Sequence, residues 1–184
     1  MSHPYNALID RLKKTIDEKR IITDPTLTLA YGTDASFYRL IPKLILQLAN
    51  LDEVILAVKT CYELAIPVTF RAAGTSLSGQ ALSDSVLITL THHWRQHKVL
   101  NNGEKIWLQP GIIGAEANKI LMPYQRKIGP DPASINTCKI GGIAANNASG
   151  MCCGTAQNSY NTLAGMTVVL ADGTVLNTLD SESV

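Results

Sequence analysis

The sequence predicts a mixed α+β fold with parallel strands and flanking helices, on three features. A strand-like run, Lys43 to Leu48, is followed by an amphipathic helix and a second run, Ile66 to Phe70, which is the pattern of a β-α-β unit. Near the end, Met166 to Ala171 and Thr174 to Thr178 flank Asp172-Gly173, a dipeptide that readily takes the positive φ values of a tight hairpin turn. Two long runs of small residues, at 70–80 and 129–150, carry no apolar period and read as loops between the elements.

In chain order, Leu8, Ile9, Leu12 and Ile16 recur at helical spacing and predict an opening amphipathic helix over Tyr5 to Glu18. Residues 22–41 hold turn formers without a sustained period and read as an irregular lead-in. Asp52 is the expected cap of the next helix, whose apolar face is Val54, Ile55, Val58, Cys61 and Tyr62. Pro67 sits near the start of the second strand, where a missing N–H is tolerated. Val86 to Leu90 and Ile106 to Gln109 are short β-like runs, and Gly114 to Tyr124 forms a helix through Ala117, Ile120 and Leu121. The expected organisation is a helix and lead-in at 1–41, then one domain at 42–184.

Composition bounds the function. The chain has 184 residues, 46% hydrophobic and 17% charged, enough to bury one core and far from a disordered profile. A net charge of +1, 5% aromatic residues and scattered basic side chains exclude a nucleic-acid footprint. Apolar stretches are broken well before the ~18 residues of a spanning helix. Asp10 and Arg11 fall where a signal peptide needs its apolar core, so a cytoplasmic protein with reduced thiols is expected. Cys61, Cys138, Cys152 and Cys153 have no zinc or iron–sulfur spacing and read as semi-buried thiols, so no metal site is expected.

Chemistry concentrates in the two small-residue runs. The first is Phe70, Arg71, Ala72, Ala73, Gly74, Thr75, Ser76, Leu77, Ser78, Gly79 and Gln80, directly after a strand. Small side chains let backbone N–H groups approach a ligand, and Thr75, Ser76 and Ser78 add hydroxyl donors, as a pyrophosphate cradle requires. On composition alone an ordinary Gly/Ser turn stands level with that reading. No Gly-Lys-Ser/Thr follows, and no G-x-G-x-x-G opens a helix, so a Walker loop and a Rossmann site are both disfavoured.

The second run is Gly129, Pro130, Asp131, Pro132, Ala133, Ser134, Ile135, Asn136 and Thr137, then Gly141-Gly142, and then Asn146, Asn147, Ala148, Ser149 and Gly150. So few bulky side chains leave volume that a self-packed segment would have to fill, and a ligand is expected to fill it. A loop-rich surface segment is the alternative.

These motifs, RAAGTSLSGQ, GPDPASINTCKIGGIAANNASG and NTLAGMTVVLADGTVL, resemble in order and spacing the FAD-binding domain of the vanillyl-alcohol-oxidase (PCMH-type) flavoproteins. Within that superfamily the resemblance is to bacterial FAD-linked D-lactate and D-2-hydroxyglutarate dehydrogenases. YGTDASFYRLIP and SGMCCGTAQNSY are similar to the long forms that carry a C-terminal iron–sulfur region. Where related enzymes often read G-A-G-T-G-L-S-G-G, this chain has A-A-G-T-S-L-S-G-Q, a change that tunes the loop.

The resemblance implies two α+β subdomains with non-covalent FAD between them. Phe70 to Ser76 would hold the pyrophosphate with Leu77, Ser78 and Gln80 close by, while Pro130 to Thr137 and Gly141-Gly142 would run beside flavin and diphosphate. Asn146 to Gly150 would complete the groove. It implies oxidation of a D-2-hydroxy acid to the 2-oxo acid by hydride transfer to FAD, with electrons passed to a further acceptor. It also implies a chain truncated near Thr178, inactive alone, whose substrate-binding and iron–sulfur parts lie downstream. The full-length form would be cytoplasmic, with peripheral inner-membrane association as an option. No residue here is expected to be a catalytic base, and His92, His93 and His97 are expected to be solvated or structural. Another oxidase or reductase of the superfamily, or a non-catalytic ligand-binding module, is the alternative.

Overall fold

The computed structural model describes residues 3–180, which divide into one unit formed by the N-terminal part up to Thr91 together with the segment from Gly165 onward, and a second unit, His92–Ala164.

The first unit is built on a four-stranded sheet. Its strands are β1 (Ile21–Ile22), β2 (Leu44–Leu48), β3 (Val68–Arg71) and β4 (Val86–Leu90), in the order β1-β2-β4-β3. β4 pairs in parallel with both β2 and β3, and β1 is an antiparallel edge. The sequence pattern made β2 and β3 a parallel pair; they are parallel, but β4 lies between them. Burial explains the order. Val86, Leu87 and Ile88 of β4 and Leu44, Ile45, Leu46 and Leu48 of β2 are wholly buried on both sheet faces, as central parallel strands require. β3, half-exposed along its length, is left at the edge.

Two helices cover this sheet. α1 (His3–Leu12) buries Tyr5, Leu8 and Leu12, and the Tyr5 hydroxyl meets the buried Ser85 hydroxyl at 2.8 Å. The helix is shorter than expected, because Ile16 reaches the core from the turn that follows. α3 (Leu51–Glu63) buries Val54, Ala57, Val58 and Cys61, while Tyr62 points outward. Its cap is Asn50, whose side chain accepts from Glu53 N at 2.9 Å, and not Asp52, which lies within the first turn. Burying each such aliphatic side chain contributes about 1.5–3 kcal/mol.

The lead-in is more ordered than its sequence suggested. α2 (Pro25–Ala30) is started by Asp24, which caps Thr26 N and Leu27 N, and by Pro25 at its first position. Arg20 forms a two-pronged ion pair with Glu53 at 2.6 and 2.7 Å, and Glu53 also accepts from Ala49 N at 2.8 Å. Burial pushes the Glu53 carboxyl up, but these hydrogen bonds prevail and hold it below its ordinary value. The unit closes with the hairpin β7 (Thr167–Val169) and β8 (Val175–Asn177), where only Gly173 takes positive φ, at 88°. Gly173 N donates to Leu170 O, which makes a turn followed by a left-handed glycine instead of two positive-φ residues.

In the second unit, β5 (His97–Leu100) and β6 (Lys105–Leu108) form an antiparallel hairpin. β5 was missed in the sequence because His97 and Lys98 mask its alternation. α4 (Gly114–Leu121) buries Ala117 and Leu121, and Glu116 accepts from Ile113 N at its start. Two short helices follow, α5 (Ile140–Ala145) and α6 (Ser159–Thr162). No helix among the described residues is long and apolar enough to cross a membrane.

Candidate functional site

The two small-residue runs fall in different units, and each is described by itself. The first leaves the C-terminal end of β3, the end of a parallel strand at which open sheets present loops to ligands. Gly74 (φ 69°) and Gly79 (φ 72°) supply the left-handed turns. Ser76 Oγ accepts from Ser78 N at 3.2 Å and Gln80 N at 3.4 Å and donates to Gln80 Oε1 at 3.0 Å, which folds the far half of the loop onto itself. Among the described residues, the N–H groups of residues 72–77 donate to no protein acceptor. A successive array of unpaired amides with small side chains is a cradle for an anion such as a diphosphate. The residues present fit the group that the sequence resemblance implies.

Arg71 is structural in part. Its Nε and Nη2 both donate to Ala81 O, at 3.0 and 2.8 Å, tying the start of the loop to the residue after its end. Burial pulls the guanidinium below its ordinary value, against the opposing effect of the Asp34 charge. Phe70 and Leu77 are exposed, at 47% and 76%. The segment before β2 flanks the loop: Ala35 N donates to Gly74 O at 3.0 Å, and Tyr38 lies against Gly79. Tyr38, Arg39 and Leu40 with Ser78, Gly79 and Leu82 line a groove of about 290 Å³ there. Asp34 and Tyr38 lie within the motif YGTDASFYRLIP, to which the sequence assigned a resemblance but no site role; the D-x-S spacing of Asp34 and Ser36, a turn signal, was a further hint.

In the second run, Asp131 N donates to Ser149 O at 3.2 Å, and a Cβ on Gly150 would collide with Asp131 O, so the two ends of the run lie side by side. Residues 132–138 form successive turns: Ile135 N donates to Pro132 O, and Thr137 and Cys138 N both donate to Ser134 O. Ala133, Asn136, Thr137, Asn146 and Ser149 are exposed, Pro130 is buried, and Ile143 anchors α5. Asn147 takes φ 43° and its Oδ1 accepts from Tyr160 N at 3.0 Å; the buried Ser159 Oγ lies 3.0 Å from Ile143 O and 2.9 Å from Ala148 O.

Part of the small-residue pattern therefore serves the protein's own packing. A Cβ on Gly141 would lie 2.9 Å from Pro110 Cβ, and one on Gly114 would lie 2.5 Å from Ile135 Cδ1. The expectation of a continuous loop is corrected at 140–145, which is α5.

The FAD binding domain family matches residues 42–179. The glycolate oxidase subunit GlcD of Escherichia coli K12 is 31% identical over 180 residues, 96% of this chain and 36% of the relative. D-2-hydroxyglutarate dehydrogenase of Haemophilus influenzae is 27% identical over 96% of this chain and 18% of its own length. The chain thus spans about a third or less of these relatives. Among solved structures, an alkyldihydroxyacetonephosphate synthase superposes with a TM-score of 0.80 at 18% identity, over 96% of this chain and 34% of that one. p-Cresol methylhydroxylase superposes with a TM-score of 0.77 at 16% identity, over 97% of this chain and 36% of that one. With the family match over residues 42–179 and a 31% identical relative aligned over 96% of the chain, this chain belongs to the PCMH-type FAD binding domain family.

Proposed function

We propose that this chain is the FAD-holding part of a 2-hydroxy acid dehydrogenase that binds its cofactor without a covalent bond. The observation that carries the reading is the run of unpaired amides at residues 72–77, at the end of a parallel strand. When bound, the flavin supplies the hydride acceptor for oxidation of a D-2-hydroxy acid, such as D-lactate or D-2-hydroxyglutarate, at its α-carbon to the 2-oxo acid. The relatives named above support that substrate class.

In this reading Ala72 to Leu77 solvate the diphosphate with backbone N–H groups, and the Thr75 and Ser78 hydroxyls add donors. Arg71 keeps the loop in place through Ala81 O and contributes positive charge beside the anion. In the second unit, Pro130 to Thr137, Gly141, Gly142 and Asn146 to Gly150 contact the remainder of the cofactor. The substrate-binding groups, an iron–sulfur region and the electron acceptor belong to the longer protein, which we place in the cytoplasm. The absence of His and Cys from residues 70–80 supports the non-covalent reading, in which Cys152 and Cys153 beside the second run stay unlinked.

The test is reconstitution. The chain incubated with FAD and desalted is expected to be yellow, and acid precipitation is expected to leave all flavin in the supernatant. A colourless chain refutes the cofactor reading, and flavin in the precipitate refutes the non-covalent one.

A further inference from the structure

Asp34 carries an unexplained atom. Its Oδ1 accepts from Ser36 N at 2.8 Å, closing a local turn, but Oδ2 is buried and has no hydrogen-bond partner among the described residues. A carboxylate oxygen withdrawn from water without a donor is unfavourable, so such atoms either find a partner or mark a function. Arg71 acts on Asp34 through its charge, while its Nε and Nη2 are both committed to Ala81 O.

The place of that atom is informative. Ala35, the next residue, donates its N–H to Gly74 O at 3.0 Å, and a Cβ on Gly74 would lie 3.7 Å from Asp34 Cβ. Asp34 therefore abuts the middle of the unpaired amide array. An ionised carboxylate only accepts, so its partner must be a donor. A second anion beside a diphosphate is unfavourable unless a donor stands between them. In a flavin dinucleotide the groups next to the diphosphate on either side are sugar hydroxyls, which are donors.

Resting on the FAD reading above, we propose that Asp34 is a cofactor-binding residue whose free oxygen accepts a hydrogen bond from a sugar hydroxyl of the dinucleotide held by residues 72–77. The orphaned oxygen is then a feature of the unliganded chain that binding relieves. It also makes the lead-in before β2 part of the site, and selects a sugar-linked diphosphate over a bare one.

Asp34→Asn tests this cleanly. It retains an oxygen for Ser36 N and puts an amide nitrogen, which cannot accept, at the orphan position. Titration with FAD is followed by flavin fluorescence, and the unliganded thermal midpoint is measured alongside. The expected result is binding about tenfold to hundredfold weaker, the range for a hydrogen bond to a charged group, with the unliganded midpoint unchanged or raised. A loss that extends to ADP places the hydroxyl on the ribose, and one that extends to FMN and not to ADP places it on the ribityl chain. Asp34→Asn that binds FAD within twofold of wild type overturns the proposal, whereas wild type that fails to bind FAD overturns the cofactor reading instead. Should the variant not fold, the wild-type chain is titrated with FAD analogues lacking single sugar hydroxyls. Affinities all within twofold of FAD then overturn the proposal, and a tenfold loss for one of them supports it.

Discussion

Replacing Gly74 by aspartate puts a carboxylate among the unpaired amides of residues 72–77, and replacing it by asparagine puts an uncharged side chain of the same shape there. Gly74 sits at φ 69°, a region that Asp and Asn enter more readily than other side chains. The new Cβ would lie 3.5 Å from Arg71 Cδ and 3.7 Å from Arg71 Nε, which is ordinary contact, so both variants are expected to fold. Their difference is charge alone. At ~5 Å and an effective dielectric of ~20, each unit charge on a diphosphate repels the carboxylate by about 3 kcal/mol, or about 6 kcal/mol for two. The adjacent Arg71 guanidinium offsets about half of that, leaving roughly a hundredfold in affinity. FAD dissociation constants from fluorescence titration are expected to lie within about tenfold of wild type for Gly74→Asn and about a hundredfold higher for Gly74→Asp than for Gly74→Asn. Added salt should narrow the gap. Equal constants for the two variants would show that no phosphate lies near Gly74, and the cradle would have to be sought elsewhere.

Two further outcomes concern the scaffold. Arg20→Met strands Glu53, whose side chain is 6% exposed, and is expected to lower stability by about 2–4 kcal/mol in urea unfolding. Because folding depresses the Glu53 pKa, its contribution is present in full above the ordinary value of 4.5 and is lost as pH falls from there through the folded pKa; Glu53→Gln should flatten that acid limb. Thiol titration of the native chain is expected to label Cys152 quickly and the buried Cys61, Cys138 and Cys153 only after denaturant is added. Burial pushes the Cys61 thiol up to about 12, so rapid labelling there would mean that α3 opens.

What could be read in the sequence was whatever a local period encodes. β2, β4, α3, α4 and the final hairpin all carry an apolar pattern long enough to be seen, and the structure keeps each within a few residues. α2 was missed because its six residues are too few to establish a helical period, and only Asp24-Pro25 announced it. Sheet order was beyond reach: nothing in the residues of β3 says that β4 comes between it and β2, since that follows from which strand is buried on both faces. The first small-residue loop was legible because its chemistry is in its own backbone. Asp34 was not, because its significance depends on Gly74, forty residues away in the chain and adjacent only after folding. The second run misled in part, since the same small residues that admit a ligand also let Gly141 and Gly114 approach Pro110 and Ile135.

The first unit is assembled from both ends of the chain, with residues 92–164 interposed. The hairpin β7–β8 returns to α3, where a Cβ on Gly173 would lie 3.1 Å from Lys59 Cβ. As the chain emerges from the ribosome, α1, α3 and the sheet can collapse early, because all their strands precede Thr91. The hairpin cannot join until the whole interposed unit has been synthesised. Closing that long a loop adds little at equilibrium, about 0.6 kcal/mol for each doubling of length, but it fixes the order of events. The strip of α3 that receives the hairpin stays uncovered throughout this interval, so a translational pause between Thr91 and Gly165 would prolong its exposure to chaperones and to misassembly.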